Sequence, residues 1–364
     1  MTFLKRLFAL LNLLAAIALA AGGWSIYLNP ADWWFLSFFG LLYLLFLTIN
    51  IFFLLFWMVV RLKYTLISIV AILITLPVLK SYCAFHFPEK ATAKSIKGLC
   101  VMSYNVRNFD VYHWSKEQNA LQGILEMIKR EHPDIVCLQE FYNNDTGSFN
   151  TIRQLSATAG LSHYYFEKKK TGKNGRSFGT AIFSRYPVAD HGSVKFDNKT
   201  QNSCSYADIK TDGGIVRVFN IHLQSIYLSR QDYQYLEEIS ENQDVKVKPT
   251  RAIFSKLKQA FIYRGEQALD IEQQIAKSPY PVIACGDFND TPASFSYHTL
   301  SDNLQDAFLK AGWGIAPTYS GFPKIYRIDY IFADEKFDIS SYRTICEDHS
   351  DHYPVISVMQ LKSE

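Results

Sequence analysis

Polar side chains suited to metal-assisted hydrolysis lie at the ends of short apolar segments in the C-terminal part of this 364-residue chain. These residues are Asn105, Glu140, His222, Asp287, Asn289, Asp329, Asp351 and His352. Carboxylate and amide oxygens are ligands for a hard divalent cation, and a histidine beside a carboxylate can transfer a proton. Because polar groups at the ends of packed strands converge on one rim of a sheet, we expect these scattered positions to form one site.

The apolar segments themselves predict the strands that position these residues. They are rich in β-branched and aromatic residues, and several are apolar throughout, which is typical of strands buried on both faces. The segments are CVMSY (100–104), IVCLQ (135–139), GTAIFS (179–184), CSYADI (204–209), IVRVFNI (215–221), VIACG (282–286), IDYIF (328–332) and PVISVM (354–359).

Two longer segments predict helices. The first begins with a capping box, Ser115 with Gln118, followed by apolar residues at helical spacing. The second is predicted from apolar residues that recur between Phe254 and Ile275. Many strands with only two long helices indicate two packed β-sheets flanked by helices, which is an α/β sandwich.

Seven short motifs occur in a fixed order between about residues 98 and 361: SYNVR, LQE, GTAIFSRYP, NIHLQS, GDFND, RIDYIF and SDHYP. This series resembles the endonuclease/exonuclease/phosphatase superfamily, which includes deoxyribonuclease I. The resemblance implies that residues 98–364 form a deoxyribonuclease I-like two-sheet sandwich that hydrolyses a phosphate ester. Together with the apolar N-terminal region, it predicts a membrane-anchored, bacterial-type member.

The resemblance also implies a metal site. Glu140 is expected to bind the essential divalent ion, with help from Asn105 and Asp351. The oxygen-rich set suits Mg²⁺ or Mn²⁺, and Mg²⁺ usually keeps several of its waters.

The remaining motif residues are implied to carry the chemistry. His352 resembles the family's general base or phosphate-polarising histidine, oriented by Asp329. Asp287 is expected to position or deprotonate the attacking water, and Asn289 to donate a hydrogen bond to the phosphoryl oxygens. His222 matches the histidine that protonates the leaving oxygen in the nuclease and sphingomyelinase branches.

Arg176 is a candidate substrate-binding residue because its guanidinium could bind a phosphate through two donors. A surface salt bridge explains the same residue equally well.

The N-terminal region, residues 1–80, has the composition of membrane helices. A spanning helix needs ~20 apolar residues, and we predict three spans, at 7–27, 33–60 and 64–79. The first segment also resembles a cleavable signal peptide, which would leave two spans. Residues 81–97 are interpreted as a juxtamembrane linker.

Basic residues flank the predicted spans unevenly. Lys5 and Arg6 precede the first span, and Arg61 and Lys63 separate the second from the third. The positive-inside rule places these residues in the cytoplasm, so three spans put the C-terminal domain on the periplasmic or extracellular side.

The charge of residues 98–364 bears on the substrate. This part contains 29 basic and 32 acidic residues, a formal net charge of −3. Proteins that bind nucleic acid through its phosphates usually carry a basic excess, so the charge disfavours nucleic acid as a partner. None of the six cysteines forms a CxxC pair, and the spacing predicts no zinc site.

These observations predict a membrane-tethered, metal-dependent phosphoesterase, in which an activated water attacks a phosphodiester or phosphomonoester in line. The bilayer and the phosphate ester are the expected partners, and no protein partner is predicted. A lipid headgroup or a small phosphorylated metabolite is the favoured substrate. Two alternatives stay open: a nuclease acting on DNA or RNA outside the cytoplasm, and an inactive membrane-anchored binding module.

Overall fold

The computed structural model describes residues 3–86, 98–112, 119–172, 175–196, 200, 202–227, 231–232, 235, 247–321 and 324–362. The chain divides into two compact units. We call the first the helical unit; it comprises Met1–Lys80, Gln224–Ala268 and Ala293–His298. The second, the sandwich unit, comprises Ser81–Leu223, Leu269–Pro292 and Thr299–Glu364.

The helices, in chain order, are α1 (Phe3–Trp24), α2 (Pro30–Leu41), α3 (Tyr43–Val60), α4 (Thr65–Ile74), α5 (Leu76–Tyr82), α6 (Ala120–Glu131), α7 (Thr151–Ala159), α8 (Val247–Ala276), α9 (Phe295–Ser301) and α10 (Ala307–Ala311). The strands are β1 (Ala84–Phe85), β2 (Leu99–Asn105), β3 (Ile135–Asn144), β4 (His163–Thr171), β5 (Arg176–Ser184), β6 (Val188–Val194), β7 (Ser203–Thr211), β8 (Gly214–His222), β9 (Val282–Asp287), β10 (Gln305–Asp306), β11 (Trp313–Gly314), β12 (Asp329–Ala333), β13 (Phe337–Thr344) and β14 (Val355–Leu361).

The sandwich unit is built on two six-stranded sheets. Strand order is β13-β14-β2-β3-β5-β4 in the first sheet and β10-β12-β9-β8-β7-β6 in the second. Both sheets are mixed, with parallel pairs β2–β3 and β8–β9 near their centres. The predicted two-sheet α/β sandwich is therefore confirmed.

The alternation of side chains along β2 and β3 explains why these segments are apolar throughout. Val101 and Ile135 point into a core shared with strands of the second sheet, such as β9 and β12. Their neighbours Met102 and Val136 point to the other face, where residues of α6 and α7 cover them. A strand covered on both faces shows no polar alternation, because every second residue faces a different core.

The two predicted helices of this region correspond to α6 and α8. The predicted capping box, Ser115 with Gln118, lies outside the described residues. The helical spacing predicts Leu121, Leu125 and Ile128 on the buried face of α6; Leu125 and Ile128 are buried, and Leu121 packs partly buried against the same core.

The first part of the predicted linker belongs to the sandwich unit. Ala84 and Phe85 form β1, which pairs antiparallel with β11. Nη2 of the buried Arg327 donates a hydrogen bond of 2.7 Å to the carbonyl oxygen of Ser81. Residues 81–86 are thus held by main-chain and side-chain hydrogen bonds, and 87–97 lie outside the described residues.

In the helical unit, two helices are long and apolar enough to cross a membrane, Phe3–Tyr27 and Tyr43–Val60. A bent pair, Leu62–Ile74 with Leu76–Tyr82, makes a third candidate span if its two parts are counted together. The bend is 65°, and Pro77 explains it because proline lacks the N–H that would continue the helix.

The predicted span 33–60 is not one helix. It divides at Leu42 into α2 and α3, and the buried Gly40 lies two residues before the break. With 12 residues, α2 is about 18 Å long, which is shorter than the ~30 Å hydrocarbon core of a bilayer.

Polar side chains join α1, α3 and α4. The buried Asn12 donates a hydrogen bond of 2.8 Å to Ser68 and accepts one of 3.1 Å from the indole of Trp57. Between apolar helices such bonds favour one arrangement over others, because an unpaired amide in this environment is costly.

Candidate active site

The strand registers bring the predicted residues together. His222 ends β8 and is opposite Asp287, the last residue of β9. Asp287 is in turn opposite Asp329, the first residue of β12. In the other sheet Asn105 ends β2, and its side chain crosses to Asp287. The ends of both sheets thus contribute to one cluster.

A β-bulge places Glu140. The register of β3 against β5 shifts between Leu138 and Phe141, and Glu140 has a φ of +48°. Asn289, beyond the end of β9, also has a positive φ, +53°. Non-glycine residues in this region are strained and cluster at functional sites.

Asp287 is the most connected carboxylate of the cluster. One oxygen accepts hydrogen bonds from the side-chain amides of Asn105 at 2.9 Å and Asn289 at 3.1 Å. The other accepts from the main-chain N–H of Asn289 at 2.8 Å. Burial raises the pKa of Asp287, because the charged form is removed from water.

His352 lies between two carboxylates. Its Nδ1 is 2.9 Å from an oxygen of Asp329, and its Nε2 is 3.7 Å from Asp287. Burial by itself lowers the pKa of His352, but the charges of Asp329 and Asp287 outweigh it and raise that pKa well above its ordinary value. These two carboxylates therefore favour the protonated form of His352.

His222 differs from His352 in its contacts and in the direction of its pKa shift. Its Nε2 is 3.8 Å from Asp287 and 3.9 Å from Glu140, and it has no hydrogen-bond partner among the described residues. Burial lowers the pKa of His222, although Asp287 opposes this effect. Burial therefore favours the neutral form of His222.

Glu140 and Asp351 lie at the more open side of the cluster. Each keeps 31% of its side-chain exposure. The Glu140 oxygens accept bonds from the amides of Asn105 at 3.3 Å and Asn108 at 3.4 Å. Burial and the charge of Asp351 raise the pKa of Glu140, and the Nε of Arg107 is 3.3 Å from Asp351.

This donor set fits a divalent cation. Ligand atoms of Asp287, Asp329 and His352 lie within 4.8 Å of one another, and Glu140 and Asp351 add two further carboxylates. The buried, unpaired Nε2 of His222 faces the same space. Crowded carboxylates with raised pKa values are stabilised when a cation binds between them.

Asn105 presents its amide nitrogen to the carboxylates. Its oxygen accepts the main-chain N–H of Arg107 at 3.1 Å. In this orientation Asn105 positions Glu140 and Asp287, and its role as a metal ligand stays a prediction. The predicted ligand role would require the opposite orientation of the amide.

Arg176 lies apart from the cluster. It begins β5 opposite Asn144, four residues from Thr180, which faces the bulge at Glu140. At ~3.3 Å per residue, this separation is about 13 Å. Arg176 is exposed, and its role in substrate binding stays a prediction that would require an extended substrate.

Sequence reasoning missed the segment that follows Asn105. Arg107, Asn108, Phe109 and Asp110 have φ between +45° and +55°, a left-handed turn without glycine. It places Asn108 against Glu140 and Arg107 against Asp351. The only sequence signal is the presence of asparagine and aspartate, which tolerate this conformation best.

A buried amide pair beneath the site was also missed. Nε2 of Gln139 donates to Asn220 at 2.7 Å and to Ser103 at 3.1 Å. Nδ2 of Asn220 donates to the carbonyl oxygens of Leu138 and Ala181. The pair joins β3 to β8 and so fixes the spacing of the two sheets below the cluster.

A model of the endonuclease/exonuclease/phosphatase family matches residues 102–352. A second model, a domain of unknown function (DUF8431), matches residues 5–82. No curated protein matches the chain.

Several solved structures are similar. An endonuclease/exonuclease/phosphatase from Beutenbergia cavernae DSM 12333 is 21% identical, with a TM-score of 0.54 over 74% of this chain and 72% of that one. A mannosyl-6-phosphatase from Bacteroides thetaiotaomicron VPI-5482 is 18% identical, with a TM-score of 0.51 over 72% and 99%. The human Nocturnin catalytic domain with a bound sulfate is 18% identical, with a TM-score of 0.51 over 73% and 94%.

These structures share the fold, and the family model covers more than half of the chain, including each of the eight strand-end positions. The chain belongs to the endonuclease/exonuclease/phosphatase family.

Proposed function

We propose that the protein is a membrane-tethered, divalent-metal-dependent phosphoesterase. The observation that carries the proposal is the convergence of Asp287, Asp329 and His352, all buried, with Glu140 and Asp351 on one rim of the sandwich unit. Family membership supports hydrolysis of a phosphoester bond.

Glu140 and Asp351 would hold the cation, because they are the carboxylates at the open side of the cluster. When bound, Mg²⁺ or Mn²⁺ supplies positive charge that neutralises the phosphate oxygens.

The chain's own residues supply positioning and proton transfer. Asp287, held by Asn105 and Asn289, can orient a water for in-line attack and accept its proton. His352, oriented by Asp329 and with a raised pKa, can stabilise the phosphoryl oxygens or give a proton to the leaving oxygen. The lowered pKa of His222 also suits a neutral hydrogen-bonding group, and its role as proton donor stays a proposal.

The space beside the cluster supports a small phosphorylated group as the substrate. A pocket of about 230 Å³ is lined by Arg107, Asp110, Ser320, Lys324 and residues 348–351. Its volume suits a headgroup or sugar rather than a duplex. Because a mannosyl-6-phosphatase is structurally similar, sugar phosphates are included among the substrates to be tested.

One observation favours the nuclease alternative. Lys168, Lys169 and Lys170 are consecutive and exposed on β4, an edge strand next to β5 and its exposed Arg176. A basic edge can bind a polyanion, although lysines also protect edge strands from pairing with other chains.

We further propose that the sandwich unit lies outside the cytoplasm. The rings of Phe8 and Phe56 stack at 5.1 Å, so the start of α1 lies beside the end of α3. The hydroxyl of Tyr43 donates to Thr75 at 3.2 Å, so the start of α3 lies beside the end of α4. The chain therefore leaves the helices at the end opposite the basic loop at 61–63, and the positive-inside rule assigns that end to the outside.

The test is an assay of the purified full chain with Mg²⁺ or Mn²⁺. The panel comprises an aryl phosphodiester, sugar phosphates, phospholipids, DNA and RNA. Activity is expected on a small ester or lipid, and it should disappear with EDTA. Glu140→Gln should weaken Mn²⁺ binding by tenfold or more, measured by calorimetry. Unchanged Mn²⁺ affinity and activity in the Glu140→Gln variant would refute the assignment.

A further inference from the structure

Two segments that follow the catalytic strands belong to the helical unit. Gln224 comes two residues after His222, and Ala293 comes four residues after Asn289. Both segments are grouped with the N-terminal helices and not with the sandwich unit. The main chain beyond two site residues is therefore held by the region that the sequence suggested to be a plain anchor.

The segment at Ala293 is bound by the connection between α1 and α2 and by α2 itself. The Oγ of Ser25 donates to the carbonyl oxygen of Ala293 at 3.1 Å. A Cβ at Gly40 would overlap that carbonyl and would lie 2.6 Å from the Ser25 hydroxyl. Ser25 and Ala293 are both 1% exposed. Only glycine at position 40 permits this approach.

The first part of α8 is bound to the same helix. Phe38 of α2 stacks on Phe254 at 4.2 Å and contacts Phe261 edge-to-face at 5.0 Å. A Cβ at Gly265 would lie 3.0 Å from Pro30 and 3.5 Å from Phe295, so α2, α8 and α9 meet at this glycine. Aromatic pairs of this geometry contribute beyond their buried area.

This part of α8 in turn holds the chain that follows His222. The Oε1 of Gln267 accepts the main-chain N–H of Gln224 at 2.8 Å, and Nη1 of Arg264 donates to the Gln224 carbonyl at 3.1 Å. Arg264 and Gln267 are buried, at 1% and 0% exposure. Buried groups of this kind are costly to leave unpaired, so the position of Gln224 is well defined.

We infer that α2 is not a membrane span but a positioning element for the hydrolytic site. It fixes the two segments that follow His222 and Asn289, and Ser25 and Gly40 are positioning residues that act through Ala293. A 12-residue helix that packs its buried side against α8 and α9 suits this role better than a crossing of the bilayer. The expected effect of α2 on catalysis rests on the proposed hydrolase activity. The placement of the two segments by α2 rests on the contacts alone.

The test uses full-length protein in detergent with four variants. Gly40→Leu inserts a side chain against Ala293, and Ser25→Ala removes one hydrogen bond without adding bulk. Leu45→Phe adds bulk on α3, where Leu45 is 52% exposed, and Thr48→Ala removes an exposed hydroxyl from the same helix. The last two are the matched controls.

Hydrogen exchange and kinetics are measured on the same samples. Ser25→Ala and Gly40→Leu should speed exchange in peptides spanning 282–298 but not in 99–144. For the aryl phosphodiester, kcat should fall between about 10- and 100-fold for Gly40→Leu, with KM within threefold. The controls should match the wild type in both measurements.

Two results would overturn the inference. One is exchange in 282–292 that stays at the wild-type rate in both test variants; the other is kcat within twofold of wild type for Gly40→Leu. If the wild type hydrolyses nothing in the panel, the proposed function fails. The exchange data still decide whether α2 supports the site.

Discussion

At the scale of single residues, the structure separates two histidines that look alike in sequence. Asp329 holds His352 and, with Asp287, raises its pKa, whereas burial lowers the pKa of His222, whose Nε2 has no hydrogen-bond partner among the described residues. The sequence around a histidine beside a strand does not predict whether its pKa is raised or lowered. The difference arises from which carboxylates the strand registers bring near each ring.

Asp329→Asn tests the oriented histidine. The amide keeps the size of the side chain but loses the charge that holds the His352 ring, so kcat should fall about 100-fold. The measurement is steady-state hydrolysis of the aryl phosphodiester, with Asp338→Asn, an exposed residue of β13, as control. A loss of less than threefold in a folded Asp329→Asn protein would exclude an important role for the pair.

The identities of the site residues could be predicted from the sequence, but their conformations could not. The eight positions follow from polar residues that flank short apolar runs. Six of them are hydrogen-bonded to at least one other: Asn105, Glu140, Asp287, Asn289, Asp329 and His352. The positive φ of Glu140 depends on a bulge in β3, and no glycine marks it. Such a feature is decided by the pairing with β5, which a single sequence does not display.

At the scale of elements, the left-handed turn at 107–110 shows strain retained beside the site. A non-glycine residue in this region costs roughly 1–2 kcal/mol, less for asparagine. The cost is offset by contacts of the turn with Glu140 and Asp351.

Asn108→Gly should therefore separate stability from activity. Glycine relieves the strain, so the free energy of unfolding should rise by about 0.5–1 kcal/mol. Loss of the amide that bonds Glu140 should lower kcat several-fold. Thermal unfolding measures the stability and steady-state kinetics measure kcat, both on one preparation. Asn108→Ala is the control and should lose stability. Reduced stability of the glycine variant would contradict a strained native turn.

The segment after α5 is the element that sequence reasoning described least well. The sequence predicts a juxtamembrane linker at 81–97, and within it β1 and Ser81 are held by β11 and Arg327. A two-residue strand is too short to produce a periodic pattern. Its partner is more than 200 residues away in sequence, so no local signal predicts the pairing.

Arg327→Leu should destabilise the sandwich unit by about 3–5 kcal/mol, because Asp306 would be left buried without its partner. Arg327 and Asp306 side chains are each 2% exposed and 2.8 Å apart. Arg130→Leu, which breaks an exposed pair with Glu347, should cost less than about 1 kcal/mol. Chemical unfolding followed by fluorescence measures both. Equal losses in the free energy of unfolding for the two variants would show that burial of the Arg327–Asp306 pair does not increase its contribution to stability.

At the scale of the whole molecule, continuous hydrophobicity concealed where the N-terminal helices begin and end. The division at Leu42 lies within an apolar run, and periodicity cannot reveal it. Pro77, in contrast, was a readable sign of the bend in the third candidate span. By the positive-inside rule, the basic residues at 61–63 predict that this end of the helices faces the cytoplasm.

Cys346 offers a test of this topology because it is exposed in the sandwich unit. A membrane-impermeant maleimide should label it in intact spheroplasts, with Cys346→Ser as the unlabelled control. A cysteine introduced by Lys63→Cys should react only after the membrane is opened. Labelling in the reverse order would place the sandwich unit in the cytoplasm.

The central claim, that distant residues act as one hydrolytic unit, is tested most directly by kcat of the Glu140→Gln/His352→Ala double variant beside both single variants. Residues of one unit are strongly non-additive, because removing either already disables it. We predict that the double variant retains about the activity of the worse single variant. Losses that multiply would show that Glu140 and His352 contribute independently and would contradict the site described here.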